Sequence, residues 1–361
     1  MGNIMSLFFY ICIFMLASAH FSLYRYKQKT IHTYGLFMAV LIPSLMSGMR
    51  YQVGTDYGNY DYIFTLVRSS TWKQLFSRGY LDVWEPGFKF LVKLLSGIGS
   101  NKFIFGMLCF IPLSLIVWQL VHNYSEYHLT TVYTFFLFFV FPMSLNLVRQ
   151  FFAVAIVFAG MEYIFQKKIW KYIAFCFLAV LFHASALLAV VACFLWDYKK
   201  EEVNKKFTGI ILLCFVIFIN VYNYIIKYIA GFITFFNKYE YLGINSMRMN
   251  RDLYVKILIL LVLFLFIKYI KQLNNRYMFF VVLYALAVII GFTGFTTPFF
   301  KRSTLYFEFP IILLLGNLPE IFSGKANKHI ARGLVCILGI AYFILVCMII
   351  GDGNVFPYRI S

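Results

Sequence analysis

Residues 171–196 read KYIAFCFLAVLFHASALLAVVACFLW, an apolar stretch with one histidine near its middle. How this stretch meets a membrane decides the topology of everything after it. Lys167, Lys168 and Lys171 stand at its start, and Lys199, Lys200, Lys205 and Lys206 follow its end. Short loops rich in Lys and Arg stay on the cytoplasmic side, so both ends belong there together. As one helix the stretch reaches about 39 Å, enough to cross a hydrocarbon core of about 30 Å once and too little to cross it twice. Either it crosses once and strands one basic loop outside, or it dips in and returns, turning near Phe182-His183-Ala184-Ser185. The re-entrant alternative is preferred, because a single crossing would invert the three later basic loops together.

The rest of the chain agrees with a membrane setting. Of its 361 residues, 62% are hydrophobic and only 13% charged, against roughly 45–50% and about 25% in soluble domains. Apolar runs recur at 4–24, 33–49, 102–121, 129–147, 150–166, 207–229, 253–270, 277–295, 303–320 and 333–350. This predicts an all-α polytopic membrane protein of about ten transmembrane helices, and not a β-barrel. No hydrophilic stretch could form a separate domain, so 1–361 reads as one integral-membrane domain. The run Ile4 to Tyr24 lacks a basic leader and a small-residue cleavage site, and reads as a retained first helix.

Arg25/Lys27/Lys29, Lys268/Lys271/Arg276 and Lys325/Lys328/Arg332 join the two lysine clusters above as cytoplasmic loops. All five can lie inside only if Pro86 to Gly99 does not cross. That segment carries Lys89 and Lys93 and extends about 20 Å as a helix, so it reads as an interfacial or re-entrant helix within an outer loop, 50–101. The formal charge of +18 is explained by these loops and lipid headgroups, which excludes nucleic acid as a partner. The seven cysteines all lie in apolar runs without CxxC or Cys–His spacing, so neither disulfides nor zinc are expected.

Polar chemistry concentrates on the predicted outer face. Its densest cluster is Arg50-Tyr51-Gln52-Val53-Gly54-Thr55-Asp56-Tyr57-Gly58-Asn59-Tyr60-Asp61-Tyr62. Arg50, Arg149 and Arg302 each sit at an outer helix end. Each either snorkels to the headgroups or faces the interior to bind an anion; guanidinium forks match phosphate oxygens, and pyrophosphate is the natural ligand. Arg248 and Arg251 either join them or are solvated. Asp56 either caps a helix starting at Tyr57 or serves a sugar hydroxyl, as a hydrogen-bond partner or as a base. Tyr57, Tyr60, Asp61 and Glu85 are further candidates for sugar contact. Trp72, Tyr80 and Trp84 either stack on sugars or form an interfacial belt. His183, deep in an apolar run, is a structural residue or a general acid–base. No nucleotide-binding loop, nucleophile elbow or HExxH is present.

These residues resemble the EpsG-type branch of the Wzy-like bacterial polysaccharide polymerases. The resemblance rests on Arg50-Tyr51-Gln52-Val53-Gly54-Thr55-Asp56-Tyr57 with Tyr60, Glu85-Pro86-Gly87-Phe88, Arg149-Gln150, Phe182-His183-Ala184-Ser185-Ala186-Leu187-Leu188, Arg302-Ser303-Thr304-Leu305-Tyr306 and Val355-Phe356-Pro357-Tyr358. It implies a GT-C-type membrane glycosyltransferase of the bacterial cytoplasmic membrane, active face outward, needing no metal or other cofactor. The implied reaction transfers an undecaprenyl-pyrophosphate-linked glycan to the end sugar of a lipid-linked repeat unit, in O-antigen, capsule or exopolysaccharide synthesis. Lipid-linked oligosaccharides, membrane lipids and a chain-length regulator are the implied partners. Arg50, Arg149 and Arg302 would hold the pyrophosphate, with His183 or Asp56 as the base. A flippase is the rival. It would need polar residues through the membrane depth, whereas here they concentrate on one face.

Overall fold

The computed structural model describes residues 2–77, 79, 81, 84–214, 217, 251–293 and 303–360. Arg302, Arg248, Tyr80 and most of the expected 207–229 span lie outside the described residues, as does the side chain of Arg251. In hydrocarbon a backbone can satisfy its polar groups only internally, so the apolar runs become helices. They are α1 (Asn3–Phe21), α2 (Lys29–Met49), α3 (Tyr57–Ser69), α4 (Pro86–Ser96), α5 (Asn101–Asn123), α6 (Leu129–Phe139), α7 (Val148–Gly160) and α8 (Ile169–Val180), followed by a 3-10 helix, Ala184–Leu195. Further on come α9 (Arg251–Leu265), α10 (Ile267–Leu273), α11 (Asn275–Thr293), α12 (Ile311–Asn317) and α13 (Lys325–Phe343). A two-residue antiparallel ladder pairs Trp196 with Val203 and Asp197 with Glu202.

Among the described residues five helices are long and apolar enough to cross a membrane; α9 and α10 meet the same test only taken together, as a pair bent by 71° that is either a broken span or a re-entrant loop. The five are Asn3–Arg25, Lys29–Met49, Asn101–Asn123, Val148–Phe165 and Lys325–Ile349. Two expected spans are broken instead. Pro142 follows the end of α6 at Phe139 and leaves only the turn Phe141–Ser144 beyond it. Pro310 separates the turn Leu305–Glu308 from α12. A ring without an N–H removes one helical hydrogen bond.

Residues 171–196 fold back on themselves. The 3-10 helix packs against α8, and the Tyr172 hydroxyl donates to the Ala189 carbonyl at 2.7 Å. The turn falls at Leu181 to His183. Each arm is shorter than the hydrocarbon core, about 18 Å for α8 and about 24 Å for the tighter 3-10 helix. α4 is shorter still, about 16 Å. Its lysines reach back to carbonyls at the ends of its neighbours: Lys89 Nζ donates to Leu75 O at 3.1 Å, and Lys93 Nζ to Val67 O at 3.0 Å and Arg68 O at 3.1 Å.

The five basic clusters gather at one end of the bundle through a chain of contacts. Arg25 donates to His128 at 2.8 Å, and the His128 backbone N–H to Asn317 Oδ1 at 2.7 Å. Next to Asn317, Glu320 pairs with both Lys328 (2.9 Å) and Arg332 (2.6 Å). Lys167 pairs with Glu201 at 3.1 Å, Asn275 donates to the Glu201 carbonyl at 3.0 Å, and Arg276 pairs with Glu162 at 3.3 Å. α10 packs on residues 318–321 and closes the circuit.

α7 is the central helix. Its span is 89% buried, against 28% for Lys325–Ile349 and 33% for the first helix. α2 and α5 approach closely where they lack side chains: a Cβ on Gly48 would stand 2.9 Å from Lys102 O. Nearby, Ser47 Oγ donates to Phe105 O at 3.2 Å. Small residues let membrane helices meet backbone to backbone.

Candidate functional site

The end opposite the basic loops is built on a break between two helices. After the Pro142 turn the chain runs through Leu145, Asn146 and Leu147 before α7 begins at Val148, which puts Arg149 in the first turn of the central helix. The 50–56 loop lies flat on this break. Gly54 adopts φ +99, and a Cβ there would stand 2.6 Å from Leu145 O, so only glycine fits. Asn146 Oδ1 accepts from the Asp56 backbone N–H at 3.1 Å. A late stretch of chain covers the same loop: Gly54 N donates to Asn354 O (2.9 Å), Thr55 N to Gly353 O (3.0 Å) and Tyr51 N to Arg359 O (2.9 Å).

From this loop α3 carries an aromatic cluster that positions the next motif. Trp84 packs against Tyr60 (5.6 Å between centroids), Phe64 (6.2 Å) and Phe88 (5.0 Å). Glu85 then occupies the N-cap of α4, with Pro86 in the first turn, where a missing N–H costs nothing. A Cβ on Gly87 would stand 2.8 Å from Leu181 O, and Phe88 N donates to that same carbonyl at 3.2 Å. The Glu-Pro-Gly motif is thereby locked onto the turn of the α8 hairpin.

Glu85 ties three segments together. Its Oε2 accepts from Arg149 Nη1 at 2.7 Å, and its Oε1 accepts from the Ala184 backbone N–H at 3.1 Å. Arg149 also hydrogen-bonds Tyr60 and lies 5.5 Å over the Trp84 ring. His183, beside Ala184, caps the 3-10 helix: its side chain accepts from the Ser185 backbone N–H at 3.4 Å. His183 Nδ1 is 2.7 Å from Ser185 Oγ, which is 3.2 Å from the Tyr306 hydroxyl. Phe182 stacks on Phe152 of α7 at 4.4 Å and fixes the turn laterally. Glu85, Arg149, Tyr60 and the His183 turn thus converge from α3, α4, α7 and the hairpin. The group brings a guanidinium and a carboxylate together beside the turn that carries the His183 imidazole.

Other sequence candidates make contacts of their own. Arg50 is 1% exposed. Its Nη1 donates to Ser47 Oγ at 3.2 Å, and its guanidinium lies 4.5 Å over Phe105 and 5.9 Å over Tyr57. Tyr57 itself stacks on Phe105 at 4.9 Å. Asp61 is bound through Oδ1 to Asn101 Nδ2 at 2.8 Å, joining α3 to α5. Asp56 holds the N-cap position of α3, but its carboxylate does not cap the helix. Ser185 and Tyr306, part of the network here, went unassigned at the sequence level. Both stand in the motifs that carry the family resemblance, which was the available signal; neither had a role assigned from the residues alone. Among the described residues no three His, Cys, Asp or Glu side chains could hold a metal ion.

No curated protein sequence and no solved structure matches the chain. The profile of the EpsG family matches residues 33–360, which takes in the 50–56 loop, the Glu85 motif, Arg149, the His183 turn and Tyr306. The chain therefore belongs to the EpsG family, a Wzy-like family of polysaccharide polymerases and integral membrane proteins.

Proposed function

We propose that this chain transfers a glycan from undecaprenyl pyrophosphate to the terminal sugar of a lipid-linked repeat unit, on the outer face of the bacterial cytoplasmic membrane. The observation that carries the reading is the Arg149–Glu85 pair, held between α4, α7 and the hairpin turn in a chain of this family. Both side chains keep 16% of their surface exposed, so an incoming anion can reach the guanidinium. On this reading the molecule is a GT-C-type glycosyltransferase of about ten spans. Its basic end faces the cytoplasm, and the 171–196 hairpin re-enters the membrane from that side.

Arg149, with Arg302 as the second expected guanidinium, holds the pyrophosphate and stabilises its charge as it leaves. The acceptor hydroxyl oxygen attacks the anomeric carbon and forms the new glycosidic bond. The bond from that carbon to the phosphate oxygen breaks, its electron pair departs with undecaprenyl pyrophosphate, and the hydroxyl proton passes to a base, His183 or Asp56. Direct attack inverts the anomeric carbon. Glu85 keeps Arg149 aimed before the substrate arrives, while Tyr60 and Trp84 offer aromatic faces beside it.

The test is a knockout complemented with wild type or with Arg149→Lys, followed by analysis of surface glycan and lipid-linked products. Loss of the protein should leave single repeat units on the surface, and wild type should restore polymer. Lysine supplies a point charge without the guanidinium fork, so Arg149→Lys should lower polymer yield about 10²-fold, as removal of a transition-state donor does. Normal polymer from Arg149→Lys would overturn phosphate recognition by this residue. A knockout with no surface glycan at all would point to transport instead.

A further inference from the structure

Asn146 stands where three distant parts of the chain meet. Its own segment is the break before α7, where the Asn146 and Leu147 N–H groups both donate to Met143 O, at 3.1 and 2.8 Å. On one side its Oδ1 accepts from the Asp56 backbone N–H at 3.1 Å, across 90 positions of sequence. On the other side lies the late strap, where a Cβ on Gly353 would stand 3.3 Å from Asn146 Nδ2. The amide has no freedom to turn over. A backbone N–H only donates, so the oxygen belongs to Asp56 and the NH2 to the strap side. Asn146 is 8% exposed, so little water can replace the bond to Asp56.

This bond joins two parts of the proposed site. Asn146 precedes Arg149 by three residues, which is at most about 11 Å of chain. We infer that Asn146 is a positioning residue whose side-chain oxygen fixes the Asp56 backbone against the start of the helix that carries Arg149. The inference rests on the glycosyl-transfer reading for what these two residues meet, a sugar hydroxyl and the pyrophosphate. In direct attack the hydroxyl oxygen and the departing phosphate oxygen lie on opposite sides of one anomeric carbon. The groups that serve them therefore need a set separation, and a displacement of about 1 Å can cost about 10²-fold in rate. Asn146 acts through Asp56, whether that residue takes the hydroxyl proton or only holds the hydroxyl.

Two measurements on the full-length protein in detergent test this. The first is amide hydrogen exchange in peptides covering residues 50–61. Asn146→Leu has a similar volume and no acceptor, and should speed exchange there about tenfold, the worth of one hydrogen bond. Asn146→Asp keeps an oxygen at that place and should stay near wild type. Unchanged exchange in Asn146→Leu overturns the inference. The second measurement is polymer formation from lipid-linked repeat units by variants with the wild-type Tm. Asn146→Leu should lower the rate about 10²-fold, and Asn146→Asp should recover most of it. Asn146→Ala replaces the leucine variant should that one not fold. In an Asp56→Asn background, Asn146→Leu should cost no more than about twofold, because what it positions is already gone. Losses that multiply show a general structural role and overturn the inference. Normal polymer from Asn146→Leu or from Asp56→Asn, or an inactive Asn146→Asp, does the same. Should the wild type make no polymer, the transferase reading fails and the exchange result alone decides whether Asn146 holds the loop.

Discussion

Arg50 and Arg149 carry the same charge on similar motifs, yet their surroundings give them different prospects. Arg149 has a carboxylate at 2.7 Å, whereas Arg50 is enclosed by Ser47 and the Phe105 and Tyr57 rings. Arg50 Nε and Nη2 make no hydrogen bond among the described residues. A buried charge without an acidic partner is costly, and replacing it with an apolar side chain of similar volume is often neutral or stabilising. Arg50→Met should therefore leave Tm in detergent unchanged or raised. Polymer loss at unchanged Tm would return Arg50 to the phosphate-binding set. The motif was legible in the sequence because arginine, aspartate and tyrosine are rare in so apolar a chain. Which arginine would be enclosed was not, since that depends on packing from α5, far along the chain.

Among elements, the hairpin and the ion pairs between helices do the organising. The fold-back of 171–196 was legible through charge: length rules out two helical crossings but allows one, and only the basic loops argue against that single crossing. The 71° bend between α9 and α10 had no such signal, as neither proline nor glycine marks Phe266. A buried ion pair joins α9 to the turn before α12, with Lys256 Nζ 2.6 Å from Glu308 Oε2 and the side chains 10% and 5% exposed. Breaking one partner of such a pair costs about 3–5 kcal/mol, whereas replacing both is far milder. Glu308→Leu alone should lower Tm markedly, and Lys256→Met with Glu308→Leu should recover most of it. A double variant destabilised by the sum of the two single losses would show that the two residues act independently.

At the scale of the whole molecule, charge and polarity segregate to opposite ends, and each end is held by its own contacts. At the basic end, burial first, then Arg332 and Arg25, push the His128 pKa down from 6.5 to about 4. Arg25 donates to His128 Nε2, and Nδ1 lies 2.8 Å from Thr131 Oγ1, so protonation would break the Arg25 contact. A lowered histidine pKa means the unfolded chain takes up the proton first. The contribution is thus present above about pH 6.5 and lost as pH falls towards 4. Tm should fall over that window, and His128→Gln should flatten the dependence. The distribution of basic loops was readable because it follows from short lysine-rich stretches. The composition of the site was readable only in pieces. Glu85, Arg149 and His183 are distant in sequence, and what joins them is the close fit of Gly87 on Leu181 and of Gly54 on Leu145.

The strap over the 50–56 loop also has a meaning for inheritance. Gly54 and Thr55 are satisfied by carbonyls of Asn354 and Gly353, and Tyr51 by that of Arg359. One loop is therefore encoded in two places, early and late in the chain. A recombination breakpoint anywhere between them assembles that loop from two parents, while a breakpoint outside both leaves it whole. The two stretches should travel through descent as one unit, however far apart they lie on the gene.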